Sequence, residues 1–393
     1  MAGAMARWAR SLATPLTVRR WTGPTARHGI NATVLVAGLG PGLYDPLAPL
    51  LGAGGVRDDL GTVRLWELPR WIDQHQGEAD LTILRLDRLS QRMLGDEPCL
   101  ALPEWIELVL TLPEDLHSLR KGRFKRDIEN DLRIVRREGY GYHISHDPED
   151  IGLFHERFHV PYMSQRHADR AFTHTLSGLS RSFRHGGLLW VLHQGQQVAG
   201  DLFEVHAGEL RTVALGLLDG DFAWAKRGAV VASYWFVVQH AKELGCQQVN
   251  FGVSRPVLTD GVMHYKRKWG PGIVQRRDTW YDYVVSWPRL SPVVREFLEA
   301  VAPVFRSGGN LSAITALPEG EALSEAAVAN ARRLLWTEGL AHLYILSDAE
   351  LPPSTPLAGD CIALPASAAE RPNPASWSIA AAAQQRRELD DGR

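Results

Sequence analysis

The clearest pattern of apolar and polar positions lies in the middle of the chain. Three apolar, β-branched runs, Leu188 to His193, Gln197 to His206 and Glu209 to Gly216, are separated only by Gln194-Gly195-Gln196 and Ala207-Gly208. Runs of this length joined by short glycine-containing links predict a three-stranded antiparallel meander. After a loop, Gly228 to Leu244 is apolar on almost every side and stops at Gly245, the pattern of a helix buried against a sheet. Gln247 to Phe251 and Thr279 to Val285 read as two further strands. Upstream, Phe124, Ile128, Leu132 and Val135 recur at three- and four-residue steps within Leu119 to Gly139. That spacing predicts an amphipathic helix capped by Gly139. Asp147 to Arg184 reads as helices separated by Pro161 to His167.

On either side the patterns are shorter. Thr33 to Ala37, Thr62 to Trp66, Leu81 to Leu86 and Ile106 to Leu112 read as strands of an α/β half-domain. Gly38-Leu39-Gly40-Pro41-Gly42 follows the first of them, but it lacks the third glycine of a nucleotide loop and Pro41 removes an amide, so a plain turn is expected. Beyond Ser291, helices at Pro292 to Val304 and Glu321 to Thr337 alternate with strands at Ser312 to Leu317 and His342 to Leu346. The boundaries expected are a basic flexible start over 1–30, a half-domain over 31–115, the central domain over 116–287, a small α/β appendage over 288–350 and a mobile tail over 351–393.

Composition narrows the function classes. The 393 residues carry 43 Lys and Arg against 45 Asp and Glu, so a charged partner must be met by a local patch, and DNA binding is not expected. Cys99, Cys246 and Cys361 are too few and too scattered for a disulfide framework or a paired-cysteine zinc site, and they suit a reducing cytoplasm. The longest apolar run, Ala229 to Val238, is far short of the roughly 20 residues that span a bilayer, so no transmembrane segment is expected.

Two stretches carry the candidate chemistry. One is the start of the buried helix, Lys226-Arg227-Gly228-Ala229, where unpaired amides and a partial positive charge favour an anion. The other is Asn250-Phe251-Gly252-Val253-Ser254-Arg255-Pro256 followed by Asp260-Gly261-Val262-Met263-His264-Tyr265-Lys266-Arg267-Lys268-Trp269-Gly270. A meander, a buried helix and a strand in this order are similar to the core of the GNAT acyltransferases. The strand, glycine and loop leading to Tyr265-Lys266 and Trp269-Gly270 resemble the closing motif of their FemAB-like branch. The basic helix and Met163-x-x-Arg166 extend the resemblance over about Leu116 to Trp287.

The resemblance implies a mixed, largely antiparallel central sheet flanked by helices, built as two GNAT-like halves plus the C-terminal appendage. It implies a bacterial-type N-acyltransferase acting on the amino group of a sugar, amino acid or peptide-like acceptor, in the setting of envelope or exopolysaccharide assembly. The co-substrate is acyl-coenzyme A or aminoacyl-tRNA, with tRNA then a partner, and no metal is required. Lys226, Arg227, Gly228 and Ala229 would receive the donor phosphates, Lys266 would neutralise phosphate, and Ser254, Arg255, Arg166 and Asp201 would line the acceptor site. The amide near Gly216 would serve a developing oxyanion, and Asp260 and His264 would take up the ammonium proton.

The bland alternatives stand beside these roles. Arg255-Pro256 reads equally as a turn, Lys266 to Lys268 as a solvated basic cluster, His264 and His206 as idle imidazoles, and Asp201 as a cross-strand partner of Arg211. Two other function classes stay open, a non-catalytic scaffold binding a phosphorylated ligand or protein, and an RNA-binding module using Arg120 to Arg137. Neither acceptor identity nor oligomeric state is legible.

Overall fold

A computed structural model describes residues 12–38, 42, 45–95, 98–121, 124–167, 173–276, 278–347 and 360–377. In chain order the first stretch forms β1 (Leu16–Pro24), β2 (Asn31–Gly38), β3 (Val56–Val63), α1 (Leu68–His75), β4 (Leu81–Asp87) and β5 (Leu100–Pro103). The middle forms β6 (Ile106–Thr111), α2 (Lys125–Glu138), β7 (Gly141–Ser145), α3 (Pro148–Phe154), α4 (Val160–His167), α5 (Leu176–Phe183), β8 (Gly186–His193), β9 (Gln196–His206), β10 (Glu209–Leu217), α6 (Phe222–Lys226), α7 (Ala229–Glu243) and β11 (Gln248–Ser254). The remainder forms α8 (Gly261–Arg267), β12 (Gly272–Gln275), β13 (Tyr281–Ser286), α9 (Pro292–Val301), β14 (Val304–Ser307), β15 (Asn310–Ala316), α10 (Glu325–Leu335), β16 (Leu340–Ser347) and β17 (Cys361–Pro365). The chain is mixed α/β, with largely antiparallel sheets flanked by helices. It divides into two compact units, the first made of 1–106, 254–264 and 273–393, the second of 107–253 and 265–272.

The first unit holds a sheet of order β3-β1-β2-β4-β13-β5 and a smaller one of order β14-β15-β16-β17. Both feed one apolar core, in which Val34, Ile83 and Tyr283 from the larger sheet meet Phe297 of α9 and Ile314, Tyr344 and Trp377. Three expectations change here. The basic start contains β1, which pairs with β2 and β3 and buries Leu16, Val18 and Trp21. The strand expected to close the central domain is β13, and it pairs with β4 and β5 instead. Part of the presumed tail is β17, parallel to β16, and Trp377 beyond it is fully buried. Alternation in these short strands is weak because both faces are covered, so pattern alone does not reveal them. Residues 1–11 and most of the Gly38 to Gly42 turn lie outside the described residues.

The second unit carries the meander. Gln194 and Gly195, and Ala207 and Gly208, all have positive φ, the two-residue turn geometry that matches strand twist. On one face of β8, β9 and β10, Phe154, Phe158, Leu179 and Phe183 pack against Trp190, Leu202 and Ala214. Helix α7 covers the other face with Ser233 turned to the strands. Helix α2 begins later than the periodicity suggested, after a 3-10 stretch at Leu116–Lys121, and ends at left-handed Gly139 as expected. No helix among the described residues is long and apolar enough to cross a membrane.

Candidate functional site

The site grows from a fork between two strands. β10 and β11 pair in parallel over only three residues, from Glu209 with Gln248 to Arg211 with Asn250, after which their ladder ends. β10 continues along β9 with a register shift between Thr212 and Ala214, the mark of a bulge that bends a strand. The base of the fork is pinned by polar groups. Arg211 Nη2 and Asn250 Nδ2 both donate to Glu107 Oε2, at 3.2 Å each, and Asn250 Oδ1 accepts from the Gly252 amide at 2.9 Å. Gly252 has φ +71, and a Cβ there would stand 3.1 Å from the Thr212 carbonyl oxygen. Only glycine takes this turn without strain.

Above the fork the unit buries opposite charges. Asp201 on β9 is 2% exposed, and its Oδ2 accepts from Ser233 Oγ at 2.9 Å. Lys266, 6% exposed, donates from Nζ to the Val253 carbonyl oxygen at 2.7 Å. Burial pushes the Asp201 carboxyl up to about 7, with the Ser233 hydrogen bond and the Lys266 charge opposing that rise. Asp201 Oδ1 has no hydrogen-bond partner among the described residues. Desolvation of a carboxylate favours its neutral form, and a nearby cation only partly restores the charge. Lys266 is therefore not a solvated surface lysine, and Asp201 is not the partner of Arg211, whose guanidinium pairs with Glu107 at 3.1 Å. Ser233 escaped the sequence reading although it is the first hydroxyl in the apolar run of α7.

The start of α7 divides its two cations. Arg227 pairs with Glu138 at 2.9 Å, lies 3.0 Å from His193 Nε2 and stacks over Trp224. It is a brace between α2 and the meander, and it holds the Glu138 carboxyl below its ordinary range. Lys226 is exposed. Gly228 is the N-cap with φ +94, no side chain caps the helix, and a Cβ on Gly228 would stand 2.7 Å from Ile134 Cγ2. Ala229 is buried. The helix start thus has no side-chain cap and follows an exposed lysine, while Gly228 and Ala229 are themselves buried.

The other expected residues fall elsewhere. Gly216 pairs with Gly200, and a Cβ on it would meet the backbone of Phe158 at 2.6 Å. Its evident task is to let the π-helical turn His155–His159 lie on β10. Ser254, Arg255, Asp260 and His264 belong to the first unit. There Ser254 is buried, Arg255 stacks over Trp105 at 4.2 Å and donates to Tyr283 Oη at 3.4 Å. Asp260 Oδ1 accepts from the Val262 and Met263 amides, capping α8, and His264 is exposed. Arg166 lies in α4, but its side chain is outside the described residues.

The π-helical turn carries a group the sequence did not single out. His159 is 2% exposed, its Nδ1 is 3.1 Å from the Leu215 carbonyl oxygen, and its Nε2 accepts from the His174 amide at 3.3 Å. The acceptor role of Nε2 places the proton on Nδ1 of a neutral ring. Burial pushes its pKa down from the usual 6.5 to about 4. A folded-state pKa below the unfolded value gives stability that is present above pH 6.5 and lost as pH falls towards 4. Thermal unfolding across that window should show a loss of roughly 3 kcal/mol attributable to His159. In His159→Asn the acid limb should be flatter; an unchanged limb would assign it to other groups.

Residues 122–267 match the acetyltransferase (GNAT) domain family, a span that holds the fork, α7, Asp201 and Lys266. No curated protein matches the chain. Among solved structures, L-PGS from Bacillus licheniformis is 14% identical with TM-score 0.34, over 70% of this chain and 87% of that one. FemX is 11% identical with TM-score 0.35, over 71% and 90%. A GCN5-related N-acetyltransferase from Anabaena variabilis is 14% identical with TM-score 0.29, over 75% and 62%. A GNAT domain implies, in general, a coenzyme A thioester as donor. Residues 122–267 are thus similar to the acetyltransferase (GNAT) domain family.

Proposed function

We propose that the second unit transfers an acyl or aminoacyl group from a phosphate-bearing activated donor to an amino group on a sugar, amino acid or peptide-like acceptor. The observation that carries this reading is Lys266, an ammonium withdrawn from water and fixed by the Val253 carbonyl on the strand that leaves the fork. A cation held in a water-poor setting stabilises negative charge developing on a carbonyl oxygen far more than one in bulk water. Between the two donors, similarity to the GNAT family supports a coenzyme A thioester over aminoacyl-tRNA, with its phosphates at the uncapped start of α7 beside exposed Lys226. In that reaction the amine nitrogen bonds to the thioester carbonyl carbon and the carbon–sulfur bond breaks. The ammonium acceptor releases two protons, one to solvent and one to the departing sulfur.

The test is to supply the purified chain with acetyl- and longer acyl-coenzyme A, and separately with charged tRNA, against a panel of amino sugars, amino acids and short peptides. Mass spectrometry of the acceptors is read together with release of free thiol. Amide formation matched mole for mole by thiol is the expected result. Thioester that binds without being consumed, together with no aminoacyl transfer, would replace catalysis with a ligand-binding scaffold.

A further inference from the structure

The first unit contains a cavity of about 260 Å³ that the acyl-transfer reading does not use. Its apolar wall includes Ile72, Leu84, Leu94 and Val284, side chains that otherwise complete a core over the larger sheet. Its lining also includes Asp73 of α1 and Arg371. Among the described residues, Asp73 and Arg371 form no ion pair with each other or with any other group. The segment bearing Arg371 is held in place, because Trp287 Nε1 donates to the Ala369 carbonyl at 3.0 Å and Glu370 accepts from the Leu290 amide at 3.3 Å.

A hollow with one apolar wall, the polar side chains Gln76 and Ser286, one carboxylate and one guanidinium matches a small molecule with an apolar body, an ammonium and a carboxylate. A dry cavity of about 150 Å³ admits benzene, so this one has room for such a ring with several further atoms. Ligand sites characteristically combine an apolar lining with a few placed polar groups. We propose that the cavity binds a free α-amino acid with an aromatic or branched apolar side chain, its ammonium at Asp73 and its carboxylate at Arg371.

Cys99 provides the readout. It lines the cavity and is half-buried, whereas Cys246 and Cys361 are buried at 7% and 1% exposure. Alkylation of Cys99 in the full chain by iodoacetamide, followed by peptide mass spectrometry, measures occupancy directly and needs no acyltransferase assay. L-phenylalanine should slow this alkylation saturably, by about fivefold or more near saturation. Asp73→Asn and Arg371→Gln, both changes at exposed side chains, should each weaken that protection about three- to tenfold. Toluene and phenethylamine should protect less than phenylalanine. The proposal is overturned by no protection at about 10 mM phenylalanine, by equal protection from toluene, or by protection that neither rim substitution alters.

Discussion

Replacing Lys266 with methionine is expected to lower kcat/KM for acyl transfer by about 100-fold or more while leaving the protein folded. The magnitude is that of deleting one preorganised group that meets developing charge. Methionine keeps the apolar length of the side chain and removes the ammonium together with its hydrogen bond to the Val253 carbonyl. Asp201 then loses the cation that partly offset its burial, and its carboxyl rises further above the already elevated value near 7. It becomes neutral at working pH, which avoids an uncompensated buried charge. Thermal unfolding of the variant should show a loss of about 1–3 kcal/mol, the cost of leaving the Val253 carbonyl without its donor, while the protein stays folded and turnover collapses. Wild-type turnover in a folded Lys266→Met protein would make the lysine a structural member and nothing more. Pairing it with Asp201→Asn separates the two contributions, since groups in one electrostatic network show a coupling of about 0.5–3 kcal/mol.

The second large effect is on stability. Gly216→Ala should cost roughly 2–3 kcal/mol, because the new methyl would stand 2.6 Å from the Phe158 carbonyl carbon and 2.7 Å from the His159 nitrogen. Overpacking against a flexible side chain can relax by rotation, but overpacking against backbone must move an element. Gly141→Ala on β7 is the matched control, since its Cβ would meet nothing within 4 Å. Urea unfolding should separate the two variants clearly. If both behave alike, the close approach of the π-helical turn to β10 is softer than the distances indicate, and Gly216 is better sought in the chemistry first assigned to it.

What could be read in the sequence was what local physics encodes. The meander was legible because Gln194-Gly195 and Ala207-Gly208 can take the left-handed turn geometry, and the helix between Gly228 and Gly245 because its apolar residues fill every side. The spacing of its motif singled out Lys266, which the fold buries. Its partners were not legible. Asp201 and Lys266 are brought together by the fold across many residues, and Ser233 joins them only because α7 presents that one hydroxyl to β9. His159 was hidden for a related reason. Its role depends on a π-helical turn and on a carbonyl of β10, neither of which leaves a periodic trace. Arg227 was assigned to an anion because its sequence neighbours suggested one, yet Glu138 on α2 had already claimed it. The misplacement of β13 has the same origin. A strand's composition says that it will pair, while its partner is settled by long-range register.

That partner choice also orders events as the chain leaves the ribosome. β13 sits between β4 and β5 in the first unit's larger sheet, so β4 and β5, although made early, have no shared neighbour until the segment through Ser286 emerges. The second unit is complete by residue 272 and can condense first, leaving the amino-terminal strands to wait with open edges. Contacts this distant along the chain slow folding, and unpaired edges are where chains associate wrongly. Nascent chains halted before β13 should therefore depend on chaperones more heavily than those halted just after it.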